Sequence, residues 1–167
     1  MLGTCLAFVG ITLLVNGIVG INGWHKKNLV LLNLLTGGLI VIFNVYLLIT
    51  NTIPQDNIRY FGALLFGFTN ILIAINCAYI LNEKVMGWFC LFCAICAGVL
   101  GVYFIIQGFV LAGIMWLVWL LIWLFAFIGF ALNEKFLPAT NIMFIVQGAT
   151  STLGLGLLIL LDLVKLY

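Results

Sequence analysis

Six long stretches of apolar residues alternate with short polar breaks along this chain. A helix needs about 20 residues to cross a hydrocarbon core of about 30 Å, because each residue adds about 1.5 Å. Each stretch is about that long, so the pattern predicts an all-α integral membrane protein with six transmembrane helices in a single domain, 1–167. The expected spans are Leu2–Asn22, Leu29–Thr50, Tyr60–Leu81, Val85–Ile106, Leu111–Leu132 and Asn141–Leu161.

The breaks hold the residues that a membrane-spanning helix tolerates least. The Asp, Glu, Lys and Arg residues all lie in a break or at a chain end, and Pro54 and Pro138 are expected in breaks because proline is costly inside a helix. With 66% hydrophobic and 6% charged residues, the chain is far more apolar than a soluble domain. The sparse charges also exclude a nucleic-acid surface.

The basic residues predict an orientation. Lys26, Lys27, Lys84 and Lys135 lie in the first, third and fifth breaks, whereas the opposite side carries Arg59 and Lys165. Because cytoplasmic loops carry an excess of Lys and Arg, the first, third and fifth breaks are expected inside and both termini outside. The sequence Asn-Glu-Lys recurs at the third and fifth breaks, so we expect three two-helix hairpins that turn on the cytoplasmic side.

No Asp, Glu, Lys, Arg or His lies in the middle of a predicted span. Proton relays, ion-coupled carriers and intramembrane hydrolases need such groups or a metal site. The absence predicts a protein that is not an enzyme, needs no cofactor or metal, and passes a neutral solute downhill. Cys90, Cys93 and Cys96 have the spacing of a metal cluster, but they lie in a continuous apolar helix and are expected to pack.

Uncharged polar residues do occur inside the spans, and each is costly if it faces lipid. They are Asn16, Asn33, Asn44, Thr69, Asn70, Asn76, Gln147, Thr150 and Ser151. Such groups either join helices by hydrogen bonds or contact a solute in a pore. Gln147, Thr150 and Ser151 share one face of an ideal α-helix, which makes them candidate polar groups close to a pore.

Three tryptophans form a stripe on the fifth span. Trp116, Trp119 and Trp123 follow one another at helical spacing, and the last two lie near the centre of the span instead of at a membrane interface. An indole N–H at that depth needs an acceptor or water. The stripe either faces a channel that polar molecules reach or packs between helices.

These residues also carry a resemblance that runs from end to end of the chain. The chain resembles the AmiS/UreI family of acid-gated urea channels and short-chain amide transporters. The resemblance rests on Met1-Leu2-Gly3 leading to Val9-Gly10-Ile11 and Asn16-Gly17, on Asn33-Leu34-Leu35-Thr36-Gly37-Gly38-Leu39, on Leu64-Leu65-Phe66-Gly67-Phe68-Thr69 through Asn76, and on Trp116-Leu117-Val118-Trp119 with Trp123.

The resemblance implies a twisted six-helix bundle in the bacterial cytoplasmic membrane, with a solute pathway through each protomer and a ring of six protomers. It implies a pathway lined by Leu2, Leu6, Val9, Leu13 and Asn16 of the first helix, Phe68 and Leu72 of the third, and Trp116, Trp119 and Trp123 of the fifth. The flat aromatic faces would admit a planar solute, and a few polar contacts would replace part of its hydration.

The chain departs from the acid-gated members at three places. Gln147 stands where they have a glutamate near the pore, Leu72 replaces an aromatic residue, and the short break Asn51–Arg59 lacks their long histidine-bearing loop. We therefore expect a passive channel for urea and similar small neutral amides that external acid does not gate.

Two alternatives stay open. The segment Gly87-Trp88-Phe89-Cys90-Leu91-Phe92 resembles the amide branch, which suggests a transporter of acetamide-like short-chain amides that serves a cytosolic amidase. The other alternative is a non-conducting membrane docking partner of a urease or an amidase, although short cytoplasmic loops offer such an enzyme little surface.

Overall fold

A computed structural model describes residues 2–50, 53 and 57–167, and six of its helices are long and apolar enough to cross a membrane. The six predicted spans are confirmed. The helices are α1 (Leu2–Asn22), α2 (Val30–Thr50), α3 (Asn57–Tyr79), α4 (Glu83–Ile106), α5 (Val110–Phe127), α6 (Leu137–Gln147) and α7 (Leu155–Leu160). A π-helical turn, Ile128–Leu132, extends α5, and a π-helical segment, Gly148–Gly154, joins α6 to α7 within the sixth span.

The repeated turn sequence has a capping function. The Asn82 side chain accepts a hydrogen bond from the Lys84 backbone N–H at 2.9 Å, and Asn133 accepts one from the Lys135 N–H at 3.1 Å. A side-chain oxygen at this position satisfies an N–H group that the helix itself leaves unpaired. The two Asn-Glu-Lys sequences therefore start the helical segments that follow them.

The sixth span begins earlier than predicted. A short 3₁₀ turn, Glu134–Phe136, leads directly into α6, so Pro138 lies in the first turn of that helix. The prediction that Pro138 lies in a break is wrong, because a proline in the first turn sacrifices no intrahelical hydrogen bond. Met1, Pro54 and most of the break 51–59 lie outside the described residues.

The helices form a closed ring in chain order. Each spanning helix contacts the next one in the sequence, and α1 closes the ring by packing along α6, the π-helical segment and α7. The most extensive contacts join α2 to α3, α4 to α5, and α1 to the sixth span. The closest packing thus joins neighbouring hairpins, whereas the two helices of each hairpin touch less.

Glycines allow the close contacts between hairpins. A Cβ atom on Gly37 of α2 would lie 2.7 Å from the Gly67 carbonyl oxygen of α3, and one on Gly3 would lie 2.8 Å from the Gly156 carbonyl oxygen. Larger residues would force these backbones apart. Between α1 and α2 the contact is polar instead, and the buried hydroxyls of Thr12 and Thr36 are 2.8 Å apart.

Candidate solute pathway

Three cavities follow one another through the middle of the helix ring. The first, which we call the Arg59 vestibule, has a volume of about 220 Å³; the second, the central cavity, about 20 Å³; and the third, the Lys26 vestibule, about 620 Å³. Val9 and Phe66 line both the Arg59 vestibule and the central cavity. Ile73, Met86, Phe130 and Phe144 line both the central cavity and the Lys26 vestibule. The shared walls make the three cavities one candidate pathway.

The α1 helix lines the whole length of this pathway. Leu2, Leu6 and Val9 face the Arg59 vestibule, Leu13 faces the central cavity, and Asn16 faces the Lys26 vestibule. Steps of three or four residues keep side chains on one face of a helix. The structure therefore brings all five α1 residues named from the sequence to the candidate pathway.

The α5 tryptophans also face the pathway. Trp116 and Trp119 line the Arg59 vestibule, Trp123 lines the central cavity, and each is nearly fully buried. Two of their N–H groups have acceptors: Trp116 donates to the Tyr167 hydroxyl at 3.4 Å, and Trp123 donates to the Thr69 hydroxyl at 3.1 Å. The Trp119 N–H is buried and has no acceptor among the described residues.

A phenylalanine of α3 holds the three indoles together. The ring centroid of Phe66 lies 6.1 Å from that of Trp116, 5.3 Å from that of Trp119 and 4.6 Å from that of Trp123. The contact with Trp119 is edge to face, an arrangement that aromatic quadrupoles favour. Together with Val9, Phe66 forms the narrow passage between the Arg59 vestibule and the central cavity.

Two other residues of α3 do not lie where the resemblance implied. Phe68 is 43% exposed and Leu72 is partly exposed, and neither lines the three cavities. Side chains two residues apart on an α-helix point in directions that differ by about 200°, so Phe68 points away from the face that carries Phe66. The inner face of α3 instead carries Phe66, Asn70 and Ile73, and we correct the assignment accordingly.

The sequence reasoning did not single out Asn70 as a pathway residue. Its side chain is 3% exposed, lines the central cavity and donates from Nδ2 to the Phe66 carbonyl oxygen at 2.8 Å. Its Oδ1 atom has no hydrogen-bond partner among the described residues. The helical spacing of Gly62, Phe66, Asn70 and Cys77, all buried, is the pattern that could have identified this face.

Asn16 lies at the pathway but is already engaged. Its Nδ2 donates to Asn33 Oδ1 at 3.0 Å, and Asn33 Nδ2 donates back to Asn16 Oδ1 at 2.8 Å. Asn33 is fully buried between α1 and α2. The reciprocal bonds use both polar atoms of the Asn16 side chain, so its main role in this structure is to join the two helices.

The polar stripe of the sixth span lies elsewhere. Gln147, Thr150 and Ser151 line none of these three cavities. Thr150 is exposed and donates to the Val146 carbonyl oxygen at 2.7 Å, and Ser151 donates to the Gln147 carbonyl oxygen at 3.2 Å. The segment Gly148–Gly154 is π-helical, so the α-helical spacing that placed these residues on one face does not apply.

Arg59 and Tyr167, which both line the Arg59 vestibule, belong to a cluster with Phe109. The Arg59 guanidinium lies 4.4 Å from the ring centroid of Tyr167 and 5.4 Å from that of Phe109. Burial raises the pKa of the Tyr167 hydroxyl above its ordinary value, although the Trp116 N–H and the Arg59 charge act in the opposite direction. No His, Asp or Glu is among the described residues that line this vestibule.

The Lys26 vestibule has a charged rim instead. Lys26 forms an ion pair with Glu83, and His25 and Lys27 lie on the same rim. Deeper inside, the walls become apolar at Ile73 and Phe144. The central cavity that follows has no charged residue among its lining residues, and its volume fits about one water molecule.

Metal-ligating His, Cys, Asp and Glu side chains do not cluster in the part of the chain that the structure describes. No group of three or more His, Cys, Asp and Glu residues that could hold a metal occurs in residues 2–50, 53 and 57–167. Cys90 and Cys93 are buried in α4, and the Cys93 sulfur lies 3.8 Å from the Thr69 hydroxyl.

The ring of six spanning helices and the narrow, uncharged passage through its centre define a multi-pass membrane protein of the channel or transporter class. The model of the AmiS/UreI family of transporters matches residues 1–163, and the chain belongs to this family. The resemblance stated from the sequence is confirmed.

Relatives with assigned names support this placement. The chain is 31% identical to the acid-activated urea channel of Helicobacter pylori, with 89% of this chain and 91% of that protein covered. It is 30% identical to a putative amidate substrates transporter protein of Mycolicibacterium smegmatis, with 87% of this chain and 70% of that protein covered. The crystal structure of the H. pylori urea channel superposes with a TM-score of 0.81 at 28% identity over 97% of this chain and 98% of the other. The cryo-EM structure of that channel in its closed state superposes with a TM-score of 0.83 at 26% identity, over 99% of this chain and 100% of the other.

Proposed function

We propose that this protein is a passive channel for urea and similar small neutral amides. The observation that carries the proposal is the series of three cavities joined by Val9 and Phe66 at one constriction and by Ile73 and Phe144 at the next. Such a series leads from one face of the helix ring to the other. Family membership and the named relatives support the same class of solute.

The chemistry of the constriction favours a neutral, planar solute. Val9, Leu13, Phe66 and Trp123 surround the central cavity with apolar and aromatic surface, and an ion would lose its hydration there without a compensating charge. A flat neutral molecule can slide along indole and phenyl faces. Because the cavity fits about one water molecule, these side chains must move by small rotations as a solute passes.

The solute is either urea or a short amide such as acetamide, and both are proposed as substrates. Urea is named in the H. pylori relative and amidate substrates in the M. smegmatis relative. Both solutes share a planar carbonyl and an amino group. A functional link to a cytosolic urease or amidase stays a prediction from the sequence.

We propose that the Arg59 vestibule faces outward and that external acid does not gate the pathway. The distribution of Lys and Arg supports the orientation, because the Lys26 vestibule carries Lys26 and Lys27 on its rim. The lack of His, Asp and Glu among the described lining residues of the Arg59 vestibule supports a pathway that stays open to solute at neutral pH.

Assembly and domain structure are part of the same proposal. We propose one channel domain, 1–167, in a homohexamer with one pathway in each protomer. The wide apolar outer face of α2, on which Leu31, Ile42 and Ile49 are each more than 60% exposed, can pack against lipid or a neighbouring protomer. The mass of the purified protein in a native mass spectrum tests the hexamer.

The test of function is solute uptake by liposomes that contain the purified protein. Stopped-flow light scattering at about pH 7.5 and pH 5 would follow urea, acetamide and guanidinium, a planar cation close to urea in size. We expect urea and acetamide to enter much faster than in protein-free liposomes at both pH values, and guanidinium to show no such increase. Urea and acetamide fluxes equal to those of protein-free liposomes would contradict a channel and favour the docking alternative.

A further inference from the structure

The three cysteines of α4, which have the spacing of a metal cluster in the sequence, have different surroundings in the structure. Cys90 lines the central cavity. The Cys93 sulfur lies 3.8 Å from the Thr69 hydroxyl of α3, and Cys96 is only partly buried. Each step of three residues turns an α-helix by about 300°, so the later cysteines leave the face that carries the first. Of these three thiols, only Cys90 lines the candidate pathway.

A second sulfur lies on the same face of α4 as Cys90. Met86 precedes Cys90 by four residues, in a helix that stays α-helical from Glu83 to Ile106. The Cβ atoms of residues four apart on a helix are about 5–6 Å from each other. Met86 and Cys90 both line the central cavity, and their side chains are 7% and 1% exposed. A thioether and a thiol therefore border the same small cavity.

The chemistry of this cavity favours a soft metal ion over a hard one. No His, Asp, Glu, Lys or Arg is among the described residues that line it, so the carboxylates that Mg²⁺ and Ca²⁺ prefer do not occur in that set. Thiolate and thioether sulfurs instead select Cu(I) and similar soft ions. The cavity volume of about 20 Å³ fits about one water molecule, and it therefore has room for one ion without a hydration shell.

The balance of charge restricts the ion to a monovalent one. As the ion binds, the Cys90 S–H bond breaks, a metal–sulfur bond forms, and the proton passes to water in the Lys26 vestibule. The Met86 thioether adds a second metal–sulfur bond and no charge. A monovalent ion on one thiolate leaves no net charge in apolar surroundings, whereas a divalent ion would leave one uncompensated positive charge.

We propose that Met86 and Cys90 form a binding site for a soft monovalent metal ion, Cu(I) or Ag(I), and that the bound ion blocks the solute pathway. With metal–sulfur bonds of about 2.3 Å, the length of zinc–thiolate bonds, two sulfurs about 4–5 Å apart hold an ion between them. Their helical spacing allows this separation, because the Met86 side chain has three rotatable bonds. Met86 also lines the Lys26 vestibule, which gives the ion a route to the site.

Binding of Ag⁺ to the purified protein tests the site without any measurement of flux. The protein for this test has alanine in place of the other four cysteines, Cys5, Cys77, Cys93 and Cys96. In chloride-free detergent solution, we expect isothermal titration calorimetry to give one tightly bound Ag⁺ per chain. Met86→Leu in this protein nearly conserves volume but removes the thioether, so it should raise the Kd by roughly tenfold or more. Cys90→Ala should abolish the tight binding.

Urea uptake by liposomes tests the block. Cys5 and Cys77 line the two vestibules, so the starting protein has alanine at both positions. In chloride-free buffer, we expect Ag⁺ to stop its urea flux, and Cys90→Ala or Met86→Leu to raise the half-inhibiting concentration by roughly tenfold or more. Cys93→Ala makes the same change at a thiol that lines none of the cavities, and it should leave that concentration unchanged. Each variant is compared with its own flux without Ag⁺.

The outcomes separate the metal site from the proposed function, on which only the block of flux rests. An unchanged Kd after Met86→Leu, or no tight Ag⁺ binding before it, would overturn the two-sulfur site, whatever the flux. Tight binding that needs Met86, together with urea flux that Ag⁺ does not lower, would overturn the block. Absence of urea flux without Ag⁺ would overturn the proposed function and the block, and leave the binding result standing. Should the protein with one cysteine fail to assemble, equal half-inhibiting concentrations in Met86→Leu and the starting protein would overturn the site.

Discussion

The tryptophans of α5 and the polar residues of the sixth span form two stripes that look alike in the sequence, yet only one of them meets the pathway. Trp116, Trp119 and Trp123 face the cavities in order, because α5 remains α-helical from Val110 to Phe127. The other stripe enters the π-helical segment Gly148–Gly154, which changes the direction of its side chains. A stripe is therefore informative only where the helix keeps the periodicity that defines it.

The largest expected effect comes from removing the ring that supports the tryptophans. Phe66→Ala deletes contacts with all three indoles and should lower the free energy of unfolding by about 3–5 kcal/mol. Denaturant unfolding in detergent, followed by tryptophan fluorescence, measures it. Phe68→Ala is the matched control on the same helix and should cost much less, because Phe68 is 43% exposed. Equal losses in the two variants would mean that Phe66 does not hold the stripe together.

The second-largest effect is expected from the hydrogen bonds of the two stripes, which should contribute differently to stability. Thr69→Val removes the acceptor of the buried Trp123 N–H, and we expect it to cost about 1–3 kcal/mol of stability. Thr150→Val removes a hydroxyl that is exposed and bonds only to its own helix, so we expect a change within about 0.5 kcal/mol. Thermal unfolding of the two variants side by side makes the comparison. It would break down if Thr150→Val cost as much as Thr69→Val.

A smaller effect should appear at alkaline pH through Tyr167, the acceptor of the Trp116 N–H. Because burial raises the pKa of Tyr167, the folded state holds this proton more tightly than the unfolded state. The resulting stability is fully present below the ordinary tyrosine pKa of about 10 and is lost as pH rises through the folded-state pKa. Melting temperatures from pH 8 to pH 11 should therefore fall more steeply for the unchanged protein than for Tyr167→Phe. Parallel curves would contradict this linkage.

The smallest effect is expected at Gln147. Its Oε1 is buried without a partner among the described residues, so Gln147→Leu should be neutral or slightly stabilising in thermal unfolding. Urea flux should stay within about twofold, because Gln147 lines none of the three cavities. A loss of urea flux of tenfold or more would indicate that the sixth span lines the pathway.

Much of the fold was predictable because the membrane imposes simple rules. The apolar runs are long enough for helices, which satisfy all their backbone hydrogen bonds within one segment in lipid, so run length alone predicts the six spans. The start and end of α1 agree with the prediction. The repeated Asn-Glu-Lys sequence marked turns whose asparagines cap the segments that follow. The start of α6 at Leu137 does not follow from the pattern, because a proline in the first turn of a helix looks the same in the sequence as a proline in a break.

The residues of the candidate site were predictable on α1, where they share one helix face, but not on α3, where similar side chains lie on opposite faces. On α1 the family resemblance implied Leu2, Leu6, Val9 and Leu13, which share one helix face and all line the cavities. On α3, Phe66 and Phe68 have the same side chain two positions apart, and only packing against the tryptophans distinguishes them. The Asn16–Asn33 pair needed the distance between α1 and α2, which no single-helix pattern contains.

The central claim is that solute crosses through the middle of the helix ring, and a blocked passage tests it most directly. Leu13 is buried against the central cavity, whereas Leu31 is 66% exposed on α2, so Leu13→Trp and Leu31→Trp make the same change in the two places. In urea uptake by liposomes, we expect Leu13→Trp to lower flux at least tenfold and Leu31→Trp to leave it within twofold, with both variants assembled like the unchanged protein. Undiminished flux through Leu13→Trp would contradict the claim and place the solute route outside the ring.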